Sequence, residues 1–414
     1  MQLLSRAARP SVVRCPEKLS LNQSETIGLS NEPHQNVSAF SRKRWSGHSA
    51  DQAMKLPHST NTPWWAWAWP LLGLVVLVIH FAFHLGGPFA ALEAFALITT
   101  VFAAVYHAEV VAQRIGEPLG TLVLTMAVTI IEVGLIVSIM IVGGTDTARL
   151  ARDTIFAAVM IVCNGIVGLC LLTGGFRHRE QSFQLQGANA ALSVLIPLTT
   201  LTLIVPNFTV TTPGPTLNQA QLVFAAIVSL LLYCAFLFVQ TVRHRDYFLP
   251  ADAGDENHAA PPSVRVALIS AGLLLISLVA VVALAEALTP TLEYGIRRAG
   301  APESVIGIVI SGLVLLPEGL ASYRAANANR LQTSINLALG SILASIGLTI
   351  PAVTGISIFL HKPLTLGLGP KEELLLFVTL IVSLLTLGTG RTTVLQGVVH
   401  VLLFAVFLFF AIVP

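Results

Sequence analysis

Charge is scarce in this chain of 414 residues: Asp, Glu, Lys and Arg together make up 11% of it, and the formal net charge is +2. A soluble domain carries about a quarter charged residues, so water is not the main solvent here, and the near-neutral balance offers nothing to a nucleic acid. Cysteine is scarce as well. Of the four cysteines, Cys163, Cys170 and Cys234 fall in apolar runs and Cys15 in a polar head. No CxxC pair occurs, which excludes a readable disulfide framework. HExxH, paired aspartates at suitable spacing and a serine nucleophile with its base are also missing, which argues against an intramembrane enzyme.

Apolar sequence is what the chain has in excess: 54% of it is hydrophobic. Long apolar runs recur from about Trp64 onward, several near the ~20 residues that span a bilayer as a helix and too continuous for barrel strands. This predicts an all-α polytopic membrane protein of about eleven transmembrane helices. The expected spans are 65–84, 87–108, 118–142, 153–173, 187–206, 218–240, 264–288, 303–323, 332–354, 371–388 and 394–413. Residues 1–63 are rich in Ser, Asn, Arg, Lys and Pro, show no periodic apolar face and read as disordered. They also lack the apolar core of a signal peptide. Met54 precedes "KLPHSTNTPWWAWAWPLLG", so residues 1–53 read as a mis-assigned start or a dispensable tail.

The connections are short except 241–263, "TVRHRDYFLPADAGDENHAAPPS", which is polar and Pro-rich and reads as a solvated linker. It divides the chain into a leading helix (64–86), a first five-helix set (87–240) and a second (264–414). With the N-terminus inside, thirteen Lys and Arg flank the cytoplasmic face, against six outside: Arg149, Arg152, Arg297, Arg298, Lys362 and Lys371. Positive charge marks the cytoplasmic side. Two sets of five lie an odd number of crossings apart, so they are expected to be inverted repeats, with any transport site at their interface. The order of features repeats too. "GEPLG" (116–120) and "GAPES" (300–304) open the third and eighth spans, and Glu132 and Glu318 follow.

Glu132, in "TMAVTIIEVGLIVSIM", and Glu318, in "LLPEGLAS", are the mid-membrane acids, one per set. An acid at that depth costs about 2.5–3.5 kcal/mol or more and is functional by default. A hard divalent cation takes several oxygen ligands, carboxylates among them. Two glutamates balance two positive charges, and each is neutral in the membrane only when a cation or a proton covers it. Mutually exclusive occupancy by metal ion and protons is the physical basis of exchange.

Around this pair the sequence offers further candidates. Pro317 cannot donate to the carbonyl of Leu313; with Gly312 and Gly319 it reads either as a helix break that frees a carbonyl for a cation, or as a structural kink. Thr129, one turn before Glu132, can supply a hydroxyl in the first set. Asn164, Ser341 and Ser345 are candidate neutral ligands on the fourth and ninth spans. Small residues there, Gly165, Gly168, Gly340 and Ala344, equally suit helix packing. Glu109 and Glu286, expected at the ends of the second and seventh spans, read as mouth acids that attract cations or as solvated interfacial groups. Glu93, His80, His84 and His400 read as satisfied packing residues.

Two segments, "HAEVVAQRIGEPLGTLVLTMAVTIIEVGLI" (107–136) and "LPEGLASYRAANANRLQTSINLALGSILASIGLTIP" (316–351), resemble the bacterial calcium/proton antiporter of the ChaA type, within the calcium/cation antiporter superfamily. The similarity runs from about Trp64 to Pro414. It implies a leading helix with two inverted five-helix repeats in the bacterial inner membrane, and calcium efflux driven by proton influx, with sodium and potassium also exchanged. Lipid and the transported cations are the implied partners, there is no cofactor, and no oligomeric state is implied. The repeat motif Gly-Asn-x-x-Glu places its glutamates on Glu132 and Glu318. Its asparagines fall on Thr129 and Leu315, its glycines on Val128 and Val314, and a histidine that follows the second glutamate in vacuolar relatives is here Gly319. The motif Gly-Ser-x-x-Ser-Asn matches Asn164 at its last position, and the small residues of the ninth span match Gly340, Ser341 and Ser345. A Na⁺ or K⁺/H⁺ exchanger using the same acids is the nearest alternative, and a passive cation channel the alternative of another class.

Overall fold

The computed structural model describes residues 63–83, 87, 89–116, 119–142, 148–249, 261–302 and 304–413; these all belong to the unit Ser59–Pro414. The polar head, Glu117 and Pro118 of "GEPLG", His84 and the stretch 250–260 lie outside the described residues. Eleven helical rods follow one another: α1 Trp64–Phe83, α2 Phe89–Ile115, α3 Leu119–Val142, α4 Leu150–His178, α5 Leu185–Asn207, α6 Gln219–Arg243, α7 Val264–Arg298, α8 Ser304–Asn327, α9 Leu331–Leu360, α10 Pro370–Leu387 and α11 Val394–Ile412. Among the described residues, nine of these helices are long and apolar enough to cross a membrane. Of the other two, α3 has its apolar part at Met126–Ser138, and α10 carries Glu372 and Glu373 in its first turn.

Local sequence sets the helix starts. Asn218 and Gln221 close a capping box on α6, Thr393 and Gln396 close another on α11, and Ser263 accepts from Val266 N at 3.3 Å to start α7. Each satisfies backbone donors that a helix leaves open at its first turn. Several rods outrun the expected spans. Helix α7 continues through Pro290 to Arg298 and α9 through Pro351 to Leu360, because packed neighbours tolerate a proline in a membrane helix.

Hydrogen bonds between connections accord with rods that alternate in direction. The α4–α5 connection pairs with the α10–α11 connection through two short strands, β1 Glu180–Ser182 and β2 Arg391–Thr393, which are antiparallel with Gln181 opposite Thr392. His178 and Gln181 reach the α8–α9 connection at the carbonyls of Asn327 and Ala326. At the other ends of the rods, Thr365 N of the α9–α10 connection bonds Ala148 O before α4, and Gly367 N bonds Pro215 O before α6. Among the connections these bonds join, the fourth, eighth and tenth meet one another and the third, fifth and ninth meet one another, as alternating crossings require. The leading helix lies outside the two five-helix sets and is clasped to α2 by His80 and Glu93, 2.6 Å apart, by His107 to Ala66 O, and by Thr100 to Trp69 O. His80 and Glu93, each expected to be a satisfied packing residue, satisfy one another.

The two sets interlock. Helix α4 packs on α8 and α11, and α9 packs correspondingly on α3 and α6. Small residues set these approaches. A Cβ at Gly168 would lie 3.0 Å from Val401 N of α11, and one at Gly347 would lie 2.5 Å from Tyr233 Cβ of α6. Where lipid removes the usual hydrophobic drive between helices, close backbone approach of this kind supplies the packing.

Candidate functional site

Glu132 sits on the middle of α3 and is 5% exposed. Ser345 of α9 donates to its Oε1 at 2.6 Å, a short bond of the kind made to a charged acceptor. Glu318 stands on α8, and its Oε2 is buried with no hydrogen-bond partner. Both carboxylates line one cavity of about 310 Å³, together with Thr129, Ser341 and Ser345. The structure therefore brings together residues from four helices, α3, α6, α8 and α9, and from the turn after α6, around a mainly apolar chamber lined by both acids and by the hydroxyls of Thr129, Ser341 and Ser345 among others. No group of three or more His, Cys, Asp or Glu side chains converges among the described residues. Two carboxylates supplemented by hydroxyls suit a cation held in passing better than a resident structural metal.

The chamber extends to the ends of α6 and α9, where Gln240, Thr333 and Asn336 line it. Nothing in the sequence singled these out, since Gln and Asn near helix ends are ordinary. A second cavity of about 310 Å³ lies at the opposite ends of the rods, between Arg152, Asp153, Ser304, Glu372 and Phe407. Neither glutamate lines it. Arg152 there donates to Gly367 O at 3.0 Å and to Asp153 at 2.8 Å. The α9–α10 connection crosses this end with Leu364, Leu366 and Leu368 buried and Leu368 N bonded to Leu203 O. Among the described residues, the cavity that holds the two acids is lined toward the ends of α6 and α9, and the cavity at this end is lined by neither Glu132 nor Glu318.

Four expectations need correction. Asn164 does not join the cavity. It is 0% exposed and donates to Thr379 Oγ1 at 2.8 Å, while its Oδ1 takes the Nδ1 proton of His400 at 3.1 Å. His400 Nε2 in turn meets Thr386 Oγ1 at 3.0 Å. Asn164 lies in a π-helical segment, Ile161–Ile166; a π turn adds a residue and shifts which side chains face a neighbour. His400 is the satisfied packing residue expected.

Pro317 and Gly319 do not break their helix: α8 runs unbroken from Ser304 to Asn327. Gly319 serves packing, since a Cβ there would lie 3.1 Å from Ile166 Cδ1 of α4. Conversely, Gly340 meets nothing within 4 Å at its Cβ position and lines the cavity instead, so the packing role considered for it does not hold. Gly165 and Gly168 do pack, against Phe404 and His400 of α11.

The two mouth acids lie on α2 and α7. Glu286 accepts from Ser138 Oγ at 3.0 Å, twelve residues before the end of α7 rather than at it. Neither lines the cavity that holds Glu132 and Glu318.

Comparison with known proteins accords with this geometry. Residues 87–242 and 269–413 match the sodium/calcium exchanger protein family. A Sinorhizobium fredii protein named as an ionic transporter, y4hA, is 49% identical over 363 residues, covering 86% of this chain and 98% of its own. The sodium-potassium/proton antiporter ChaA of Escherichia coli is 35% identical over 368 residues, covering 87% of this chain and 98% of its own. The crystal structure of the H⁺/Ca²⁺ exchanger CAX superposes with a TM-score of 0.62 at 17% identity, over 83% of this chain and 87% of that one, which shows the shared fold. The chain is a membrane-embedded secondary transporter and belongs to the sodium/calcium exchanger protein family.

Proposed function

We propose that this protein exchanges a metal cation for protons across a bacterial inner membrane, with Glu132 and Glu318 as the two carboxylates that carry both. The observation that supports this most directly is the convergence of one acid from each five-helix set on a single cavity, Glu132 held by Ser345 and Glu318 with a buried oxygen that has no hydrogen-bond partner. A cation binds when both are ionised. Protons replace it on the opposite face, because a bare pair of carboxylates in a low-dielectric chamber is costly. Ser345, Ser341 and Thr129 supply neutral oxygen ligands, and Glu109 and Glu286 serve as acids outside the chamber. By the distribution of Lys and Arg the N-terminus is cytoplasmic, and the cavity then opens to the cytoplasm.

Ca²⁺ is the cargo whose charge the two glutamates match. Na⁺ or K⁺ is a second reading, favoured by the full-length relative named a sodium-potassium/proton antiporter and by the lack of the asparagines at Thr129 and Leu315. Proton flux in everted vesicles, followed with a pH-gradient dye, separates them. Dequenching on adding Ca²⁺ at micromolar levels supports the first; dequenching by Na⁺ or K⁺ alone contradicts it and supports the second. Flux of cation without proton movement would make the protein a channel and sink both.

A further inference from the structure

Three of the side chains lining the glutamate cavity carry formal charge, and the third is Arg245. It does not come from a membrane helix. After α6 ends at Arg243 the chain makes one short 3₁₀ turn, Arg245–Tyr247, and lies back across the cavity mouth. This turn is tied down rather than trailing into the linker. Asn336 of α9 donates to Phe248 O at 2.5 Å, and Gln332 donates to Tyr247 O at 3.4 Å. Phe248 N closes on Arg245 O at 3.0 Å. The Phe248 ring, 8% exposed, packs edge-on against Phe236 at 5.8 Å. The anchored turn sets the positive charge of Arg245 at the mouth of the cavity that holds Glu132 and Glu318.

We propose that Arg245 is a charge filter at the mouth of the cation cavity, which disfavours divalent over monovalent ions entering from that side. This rests on the reading of the cavity as the cation path. The work of bringing an ion past a fixed charge scales with the ion's own charge. At ~10 Å through water, one positive charge lowers the local concentration of a monovalent cation about twofold, and that of a divalent cation by the square of this, about fourfold. The Debye length is ~10 Å at 0.1 M salt, so the effect belongs to low ionic strength. Arg245 acts on entry and leaves the glutamates themselves unchanged.

The test measures half-saturating Na⁺ and Ca²⁺, each as transported ion or as competitor, in everted vesicles at low ionic strength. Arg245→Gln is expected to lower the value about twofold for Na⁺ and about fourfold for Ca²⁺ with maximal rates unchanged. Both shifts should vanish in about 0.5 M choline chloride, where screening is near 4–5 Å. Arg245→Lys, which keeps the charge, should behave as wild type. So should Arg243→Gln, since Arg243 is an exposed neighbour that does not line the cavity. Equal shifts for the two ions, shifts that persist in high salt, or an identical shift in Arg243→Gln would overturn the assignment of Arg245 alone. Wild-type vesicles that exchange neither ion for protons would instead overturn the transport reading beneath it.

Discussion

At the scale of single residues, the two glutamates and Asn164 show what a residue's surroundings decide. Glu132 stood out because a charge inside an apolar run has few reasons to be there, and the structure gives it a donor, Ser345, from the other half of the molecule. Ser345→Ala removes a hydrogen bond that favours the ionised carboxylate; a loss of about 1 kcal/mol corresponds to about fivefold weaker cation affinity, read as half-saturation of proton exchange. Asn164 is the opposite case. Its place in a family motif suggested a ligand, but which way a side chain faces inside a π segment is not encoded in motif spacing. Asn164→Ala leaves Thr379 and His400 without their shared partner, at a cost of about 1–3 kcal/mol. Its melting temperature in detergent is expected to fall while half-saturation stays put; weakened affinity at unchanged melting would return Asn164 to the site.

At the scale of elements, hydropathy gave the eleven rods and where they begin, because a bilayer admits only helices that satisfy their own backbone, whereas α2, α4, α7 and α9 run past their expected ends. What it missed were features made by neighbours. The expected helix break at Pro317 is absent because α8 is held along its length by α4: Ser311 donates to Thr154 O at 2.7 Å, and Gly307 admits the backbone of Asp153. The docked turn after α6 was illegible as well, since "RDYFL" sits in a polar linker with no periodicity to read. The α4–α11 contact depends on Gly168, whose Cβ position lies 3.0 Å from Val401 N. Gly168→Val therefore overpacks that seam by about 1–3 kcal/mol, to be seen as a lower melting temperature in detergent, with Gly340→Ala, which meets open space, as the control that should leave it unchanged.

For the whole molecule, the interlocked halves leave the acids open to the end of the rods marked by α6 and α9, with the other end crossed by the α9–α10 connection. A cysteine at Ser341, in a background without the native cysteines, should react with a membrane-impermeant maleimide from that side and be protected by the transported cation. Reaction only from the opposite side would reverse the orientation assigned from Lys and Arg. The central claim is that one carboxylate from each half carries both cation and protons. Purified protein in liposomes, with a pH-gradient dye enclosed and cation added outside, tests it most directly. The account predicts proton movement for the wild type, and none above empty liposomes for Glu132→Gln or Glu318→Gln in folded protein. Sustained cation–proton exchange by either variant would contradict it.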